Sequence, residues 1–251
     1  MMVIFKKDIW FFGLSVSEYE VSNFGYNVGE LKMAEEKGYP QVMDMDKIKD
    51  YLISQKILVC TYRGAEDINM VRYLSLLGFL FVGTFSEAYC RKSNFNEIKI
   101  KNDLKITKAE KDDYEEMKRI QASVFDYSTY QLDSMFPIRV TSERNVKRLS
   151  SYFINPHHIS FVSRYDNNII GFLQFVIDGD IAHCVNGAVS PGFQKLFVGM
   201  QLYSESFRNI FGLGATMITS AYCNQNVSVM RMHQAFNFKV TNHEIHLRLK
   251  V

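Results

Sequence analysis

One stretch of this chain occurs twice, and the repetition limits the fold before any single residue is weighed. Residues 57–88 read ILVCTYRGAEDINMVRYLSLLGFLFVGTFSEA, and residues 216–247 read TMITSAYCNQNVSVMRMHQAFNFKVTNHEIHL. The two align without a gap. Each is a short apolar run, a polar turn, a segment of helical period closing on Phe79 or Phe238, and then a β-rich run. A repeated strand–helix–strand unit predicts two related α/β units. The copies differ where the helix opens, with Asn226 in the second and Asp67 in the first. That asymmetry suggests one copy working on a ligand and one retained as structure.

A chain of 251 residues with 47% hydrophobic side chains has enough apolar surface for one large core or two small ones. Its net charge of +2 argues against a general nucleic-acid surface. The longest apolar stretches, 9–14 and 76–82, are far too short to span a bilayer. The opening MMVIFKKDIWFF places its charges after an apolar start and lacks a small-residue cleavage site, so it does not read as a signal peptide. Cys60, Cys90, Cys184 and Cys223 show no CxxC spacing, and two of them lie in apolar β-like runs. These features predict a reducing, cytoplasmic setting without disulfides.

The pattern along the chain predicts a mixed α/β fold in two domains, 1–100 and 104–251. In the first, 5–13 is rich in aromatics, 44–55 has helical period with an acid suited to a cap, and 57–62 and 80–89 read as strands flanking a helix over 67–77. Gly78 stops that helix. The polar stretch 91–103 reads as a linker. In the second domain, helices are predicted over 108–125 and 142–153. Strands follow at 159–164, 169–178 and 180–189, with hairpin turns at Asp166-Asn167-Asn168 and Asp178-Gly179-Asp180. A helix over 194–211, a strand over 216–221, a helix over 226–235 and β structure over 237–249 complete it. A meander followed by crossover helices predicts a central mixed sheet covered on both faces.

Two segments could carry chemistry. Residues 189–200 read VSPGFQKLFVGM: a strand ends at Val189, Pro191 opens a turn, and a helix begins between Gln194 and Gly199. The free amides and dipole of a first helical turn suit an anion such as a pyrophosphate. The other is NVSVMRMHQAFNF, 226–238. Asn226 can cap the helix, and His233, seven residues on, shares its face. An amide and an imidazole there can grip a cofactor arm and handle a proton.

These segments resemble the GNAT N-acetyltransferases, a likeness covering most of 104–251. The resemblance implies a GNAT fold in which 189–199 is the loop whose amides hold the pyrophosphate of acetyl-CoA, with Gly187, Ala188, Val189, Gln194, Lys195, Leu196, Phe197, Val198, Gly199 and Met200 around the cofactor. The strands at 186–189 and 220–222 would splay around its pantetheine, and Asn226 would contact its arm. His233 falls where many members carry a tyrosine that protonates the departing thiolate. Three residues depart from the family's pattern: Leu196 replaces its usual Arg, and Lys195 and Phe197 replace glycines. The N-terminal half, with Phe11-Phe12-Gly13 and a truncated copy ending in Leu77-Gly78-Phe79, is similar to the TDP-fucosamine acetyltransferase group. So are Ser128-Thr129-Tyr130-Gln131-Leu132-Asp133, Phe136-Pro137 and 144–155. That likeness implies a truncated GNAT-like N-terminal domain and acetylation of a nucleotide-linked amino sugar.

Acetyl transfer to an amine needs a neutral nucleophile, a polarised carbonyl and a proton for the thiolate. His183 and Asn186 precede the loop; His183 is the better base, and Asn186 could hydrogen-bond or orient a water. Tyr130, Asp133 and Arg139 are candidate acceptor contacts. No Cys lies in the loop or the Asn226 helix, so direct attack in a ternary complex is expected. His243 and His246 on a strand face opposite ways, and the adjacent His157 and His158 do not converge, so no metal site is expected. C-terminal edge strands could pair two copies as a homodimer. The rivals are another small amine as acceptor, and a non-catalytic binding or scaffold protein with an altered loop.

Overall fold

The computed structural model describes residues 3–7, 10–33, 42–65, 67–100, 103–124, 127–128, 130–194 and 197–251. Strands are β1 (Val3–Lys7), β2 (Trp10–Val16), β3 (Asn27–Met33), β4 (Val42–Asp44), β5 (Ile57–Ala65), β6 (Leu80–Arg91), β7 (Lys105–Lys108), β8 (His158–Tyr165), β9 (Asn168–Asp178), β10 (Ile181–Val189), β11 (Met217–Cys223) and β12 (Lys239–Lys250). Helices are α1 (Glu18–Phe24), α2 (Ile48–Ser54), α3 (Ile68–Leu76), α4 (Tyr114–Ser123), α5 (Ile138–Phe153), α6 (Val198–Gly212) and α7 (Val227–Ala235).

The chain forms two compact units: Met1–Phe85 with His243–Val251, and Ser86–Asn242. The sequence places the border near 100–104, but the last strand returns to the first unit. There, residues 244–250 of β12 pair antiparallel with β5. The sheet of this unit continues through β3, β2 and β1 to β4. Its core gathers Phe12, Leu14, Leu31, Leu52, Tyr62, Leu74, Phe79 and Leu247 under α2 and α3. The helix predicted over 44–55 opens as a 3-10 turn, Met45–Lys47, and continues as α2; the side chain of Asp44, the acid suited to cap it, lies outside the described residues.

In the second unit the order from β7 runs β8, β9, β10, β11 and then β6. β7 to β10 are antiparallel neighbours, and β11 joins β10 in parallel. One face of this sheet packs on α6 through Leu173, Phe175, Leu202, Phe207 and Ile210. The other packs Val162 and Phe172 against Met117, Ile120 and Leu149 of α4 and α5. The two type-I′-like residues Asp166 and Asn167, with φ of 47° and 63°, close the β8–β9 hairpin. Within the stretch predicted as a linker, Phe95 is docked, its ring centroid within 6.1 Å of those of Phe207, Phe211 and Phe236. A four-residue strand, β7, too short to show a period, precedes the predicted helix over 108–125, which begins only at Tyr114.

The two copies found in the sequence fold alike, as β5–α3–β6 and β11–α7–β12. Asp67 caps α3 by accepting from Asn69 N and Met70 N, and Asn226 caps α7 by accepting from Val229 N. Each helix ends on a left-handed residue, Gly78 at φ 94° and Asn237 at φ 59°. The closing bond is also the same in both, Phe79 N to Leu74 O and Phe238 N to His233 O.

Candidate active site

The β10–β11 ladder runs from Ile181↔Met217 to Cys184↔Ser220. Beyond it β10 continues to Val189 along β9 alone, so residues 186–189 present a backbone edge toward the gap. A β-bulge lies between Cys184 and Asn186. It has a consequence for side chains: His183 pairs with Val176, Asn186 with Gln174 and Ala188 with Phe172. Val176, Gln174 and Phe172 alternate along β9 and share one face. The bulge therefore brings His183 and Asn186 to the same face, although a separation of three on a regular strand would set them apart. His183 Nδ1 lies 2.7 Å from Thr219 Oγ1 on the neighbouring strand, and the ring is half-buried.

Asn186 is buried and its amide nitrogen donates to Gln121 Oε1 at 3.0 Å and Gln174 Oε1 at 2.9 Å. Gln174 Nε2 in turn lies 3.2 Å from His158 Nε2 and 3.4 Å from Ser160 Oγ. Ser160 Oγ and His158 Nε2 are 2.8 Å apart. Burial pushes His158 down to about 4, so its ring is neutral near pH 7. Sequence reasoning missed Gln121, Gln174, Ser160 and His158 as parts of this site. One signal was available: Gln174 interrupts the apolar run IIGFLQFVI, and a polar residue buried in a strand needs partners.

After Val189 the chain makes a short 3-10 turn, Pro191–Phe193, and enters α6. Gln194 turns back to donate to Val189 O at 3.1 Å. Lys195 and Leu196 lie outside the described residues. Phe197 stands at the helix N-cap in the left-handed region, φ 58° and ψ 10°, and its ring is 69% exposed. The backbone thus keeps a conformation that favours glycine while the phenyl ring turns outward. Val198 is buried and Met200 packs into the core, so both can offer a ligand only main-chain groups. Gly199 has a packing reason: a Cβ there would meet Met232 Sδ at 3.3 Å. Gly187 has a stronger one, with Leu173 Cδ1 at 2.6 Å from a built Cβ.

Asn226 spends Oδ1 on the cap to Val229 N at 3.2 Å. His233 is 2% exposed, inside a ring of Tyr222, Phe238 and Tyr203 at centroid distances of 4.7, 4.6 and 6.3 Å. Its Nδ1 lies 2.8 Å from Val229 O, an acceptor, so Nδ1 carries the hydrogen. Nε2 is buried without a partner. Burial lowers the pKa of the ring, against a smaller raising effect of the Val229 bond. In this neutral state Nε2 offers a lone pair rather than a proton.

Each of the three acceptor candidates has local partners. Tyr130 is buried against Phe136 and under the Arg144 guanidinium, 4.3 Å from its centroid. Asp133 accepts from Met135 N in a turn, and Arg139 is an exposed side chain 3.8 Å from Glu143. A surface cleft of about 660 Å³ lies at the other end of β10 and β11, lined by Arg91, Lys92, Asp180, Thr216 and neighbours, and holds none of the expected residues. Among the described residues no group of three His, Cys, Asp or Glu could hold a metal ion. No helix among them is long and apolar enough to cross a membrane.

Residues 126–238 match the model of the acetyltransferase (GNAT) family. No curated protein sequence matches the chain. Among solved structures, it is similar to a GCN5-related N-acetyltransferase from Sphaerobacter thermophilus, with TM-score 0.67 and 10% identity over 95% of this chain and 76% of that one. It is also similar to a functionally unknown conserved protein from Staphylococcus epidermidis, with TM-score 0.65 and 11% identity over 98% and 92% of the two chains. A tandem GNAT protein from the clavulanic acid biosynthesis pathway aligns with TM-score 0.60 and 8% identity, over 96% and 78%. At these identities the structural likeness establishes a shared fold.

Proposed function

We propose that this chain, of GNAT fold and matching the acetyltransferase (GNAT) family over residues 126–238, moves acetyl from acetyl-CoA to a primary amine. The observation that carries the reading is the strand edge at 186–189, which leads through one turn into the N-terminus of α6. An extended pantetheine arm carries amide groups that such an edge can pair with, as an added strand does. The first amides of α6 then lie one turn further on, where a pyrophosphate is favoured. The residues fit that group: Gly187 keeps the strand close to β9, and the exposed Phe197 ring leaves the main chain of its turn uncovered.

His183 is our base, since the bulge sets it on the face of Asn186. We assign the thiolate's proton to solvent rather than to His233, whose buried Nε2 is an acceptor in the neutral ring. Attack is direct. Burial pushes the Cys184 thiol up to about 12 and raises Cys223 as well, so neither is a thiolate nucleophile near pH 7. A nucleotide-linked amino sugar as acceptor rests on the resemblance alone, because Tyr130 and Asp133 are engaged in packing and a turn. The first unit we read as a degenerate copy kept for structure, and the four free thiols suit a reducing cytoplasm.

The test is calorimetric titration with acetyl-CoA and CoA, followed by thiol release with amine acceptors. Micromolar binding and amine-dependent release are expected. Absence of binding at millimolar acetyl-CoA would refute the proposal and favour a scaffold protein.

A further inference from the structure

A buried primary amide costs free energy unless its hydrogens and its oxygen are satisfied. Asn186 places both amide hydrogens on glutamine oxygens from two different elements, Gln121 on α4 and Gln174 on β9. Gln121 is 1% exposed and Gln174 is fully buried. Turning the Asn186 amide over would set its oxygen against both of theirs. Gln174 cannot turn to compensate without losing the contacts of its Nε2 to Ser160 Oγ and His158 Nε2. The oxygen of Asn186 is not one of the sealed, unpartnered atoms of this unit, so it remains the accessible end of the chain of amides. A core this polar is not needed for packing; apolar residues of the same size would fill the space more cheaply.

Resting on the acetyl-transfer reading, we propose that Gln121 and Gln174 are positioning residues that hold Asn186 Oδ1 outward to accept an N–H of the acceptor amine. That bond aims the nitrogen lone pair at the thioester carbonyl. The amide takes no proton itself. The C–N bond forms and the C–S bond breaks. One proton leaves nitrogen through His183 to solvent, and sulfur regains one from solvent. Amine and thioester thus become amide and thiol with nothing else consumed. A specificity follows. A neutral primary amine has two hydrogens, so one stays on Asn186 while the other departs, and the product N–H stays there too. A secondary amine must give up the only hydrogen that held it.

The experiment compares wild type, Asn186→Ala, Gln174→Leu, Gln121→Leu and the Asn186→Ala/Gln174→Leu double variant in the full chain. Acetyl-CoA affinity is read by calorimetry. The kcat/KM values for 2-phenylethylamine and N-methyl-2-phenylethylamine are read by thiol release. We expect acetyl-CoA affinity within about twofold throughout. Each single variant should lower kcat/KM for the primary amine about tenfold, the loss of one neutral hydrogen bond. The double variant should fall no further than Asn186→Ala, since Gln174 acts through Asn186. The primary-over-secondary preference should shrink in every variant. Additive losses, or an unchanged preference, overturn the inference while leaving acetyl transfer standing. Wild-type protein that fails to bind acetyl-CoA overturns the parent reading instead. Gln121→Leu, on a different element, decides the matter where Gln174→Leu does not fold.

Discussion

Phe197 offers a test in which a stability measurement decides a question about the ligand loop. Its φ of 58° places a bulky side chain where L-residues pay roughly 1–2 kcal/mol relative to right-handed backbone. Comparing Phe197→Gly with Phe197→Ala isolates that cost. Both variants delete the same ring, which is 69% exposed, so the packing loss cancels between them. Glycine relieves the strain but gives back roughly 0.5–1 kcal/mol of extra chain entropy in the unfolded state. The balance leaves Phe197→Gly more stable than Phe197→Ala by about 0.5–1 kcal/mol. Phe197 also stands at the helix N-cap, where glycine is preferred to alanine, so the two effects act in the same direction. The sign of the difference is therefore the result. For a chain of this size the expected gap is about 1–4 °C in Tm, and urea unfolding followed by circular dichroism gives the same comparison as free energy. Alanine equal to or better than glycine would refute the left-handed turn, and with it the case that the loop keeps its shape despite Phe197. Calorimetry on the same proteins should show Phe197→Gly binding acetyl-CoA at least as tightly as wild type, because only main-chain groups are invoked.

Three further outcomes are expected. His233→Phe should raise Tm, since it removes a buried nitrogen without a partner from an aromatic surround, and should leave kcat within about threefold; a hundredfold loss would return His233 to the acid role. Asn226→Asp should keep the α7 cap, as Asp67 caps α3, yet weaken acetyl-CoA binding by removing the amide donor; unchanged affinity would make the cap its whole role. Burial holds His158 at about 4 and His246 at about 3 in the folded chain, against 6.5 when unfolded. The unfolded state then binds protons more readily, so stability is full above pH 6.5 and is lost as pH falls toward 4; equal urea midpoints at pH 7.5 and 5 would contradict this, and His158→Gln should lessen the drop.

The repeat made the strand–helix–strand units, their caps and their closing turns legible, because apolar period and turn chemistry are local properties. The hairpin at Asp166-Asn167 was legible for the same reason. What escaped was non-local. Nothing within 237–249 says that its last residues pair with β5, which is why a border at 100–104 differs from the division into compact units. Phe95 looked like part of a polar linker because its neighbours in sequence are polar, while its partners lie more than a hundred residues away. His233 was legible as a position and not as a state, since its burial depends on Tyr203 and Tyr222 from other elements.

The bulge beside Asn186 shows how much of the site depends on a feature of one residue's length. Without it, Val185 would stand opposite Gln174 and the amide chain would end on an apolar side chain. Gln174 would then be a buried polar group lacking its partner, a cost of about 1–3 kcal/mol. The polar residues at Gln121, Gln174 and Ser160 are therefore compatible with this sheet only when the bulge is present, and the bulge is tolerated because they reward it with hydrogen bonds. The same extra residue ends the ladder to β11 and opens the edge at 186–189. One irregularity thus aligns the polar face with the gap between the strands. That coincidence is why the acceptor-side chemistry is assigned to Asn186 and His183 rather than to Tyr130, Asp133 and Arg139, which have partners in packing, a turn and a surface ion pair.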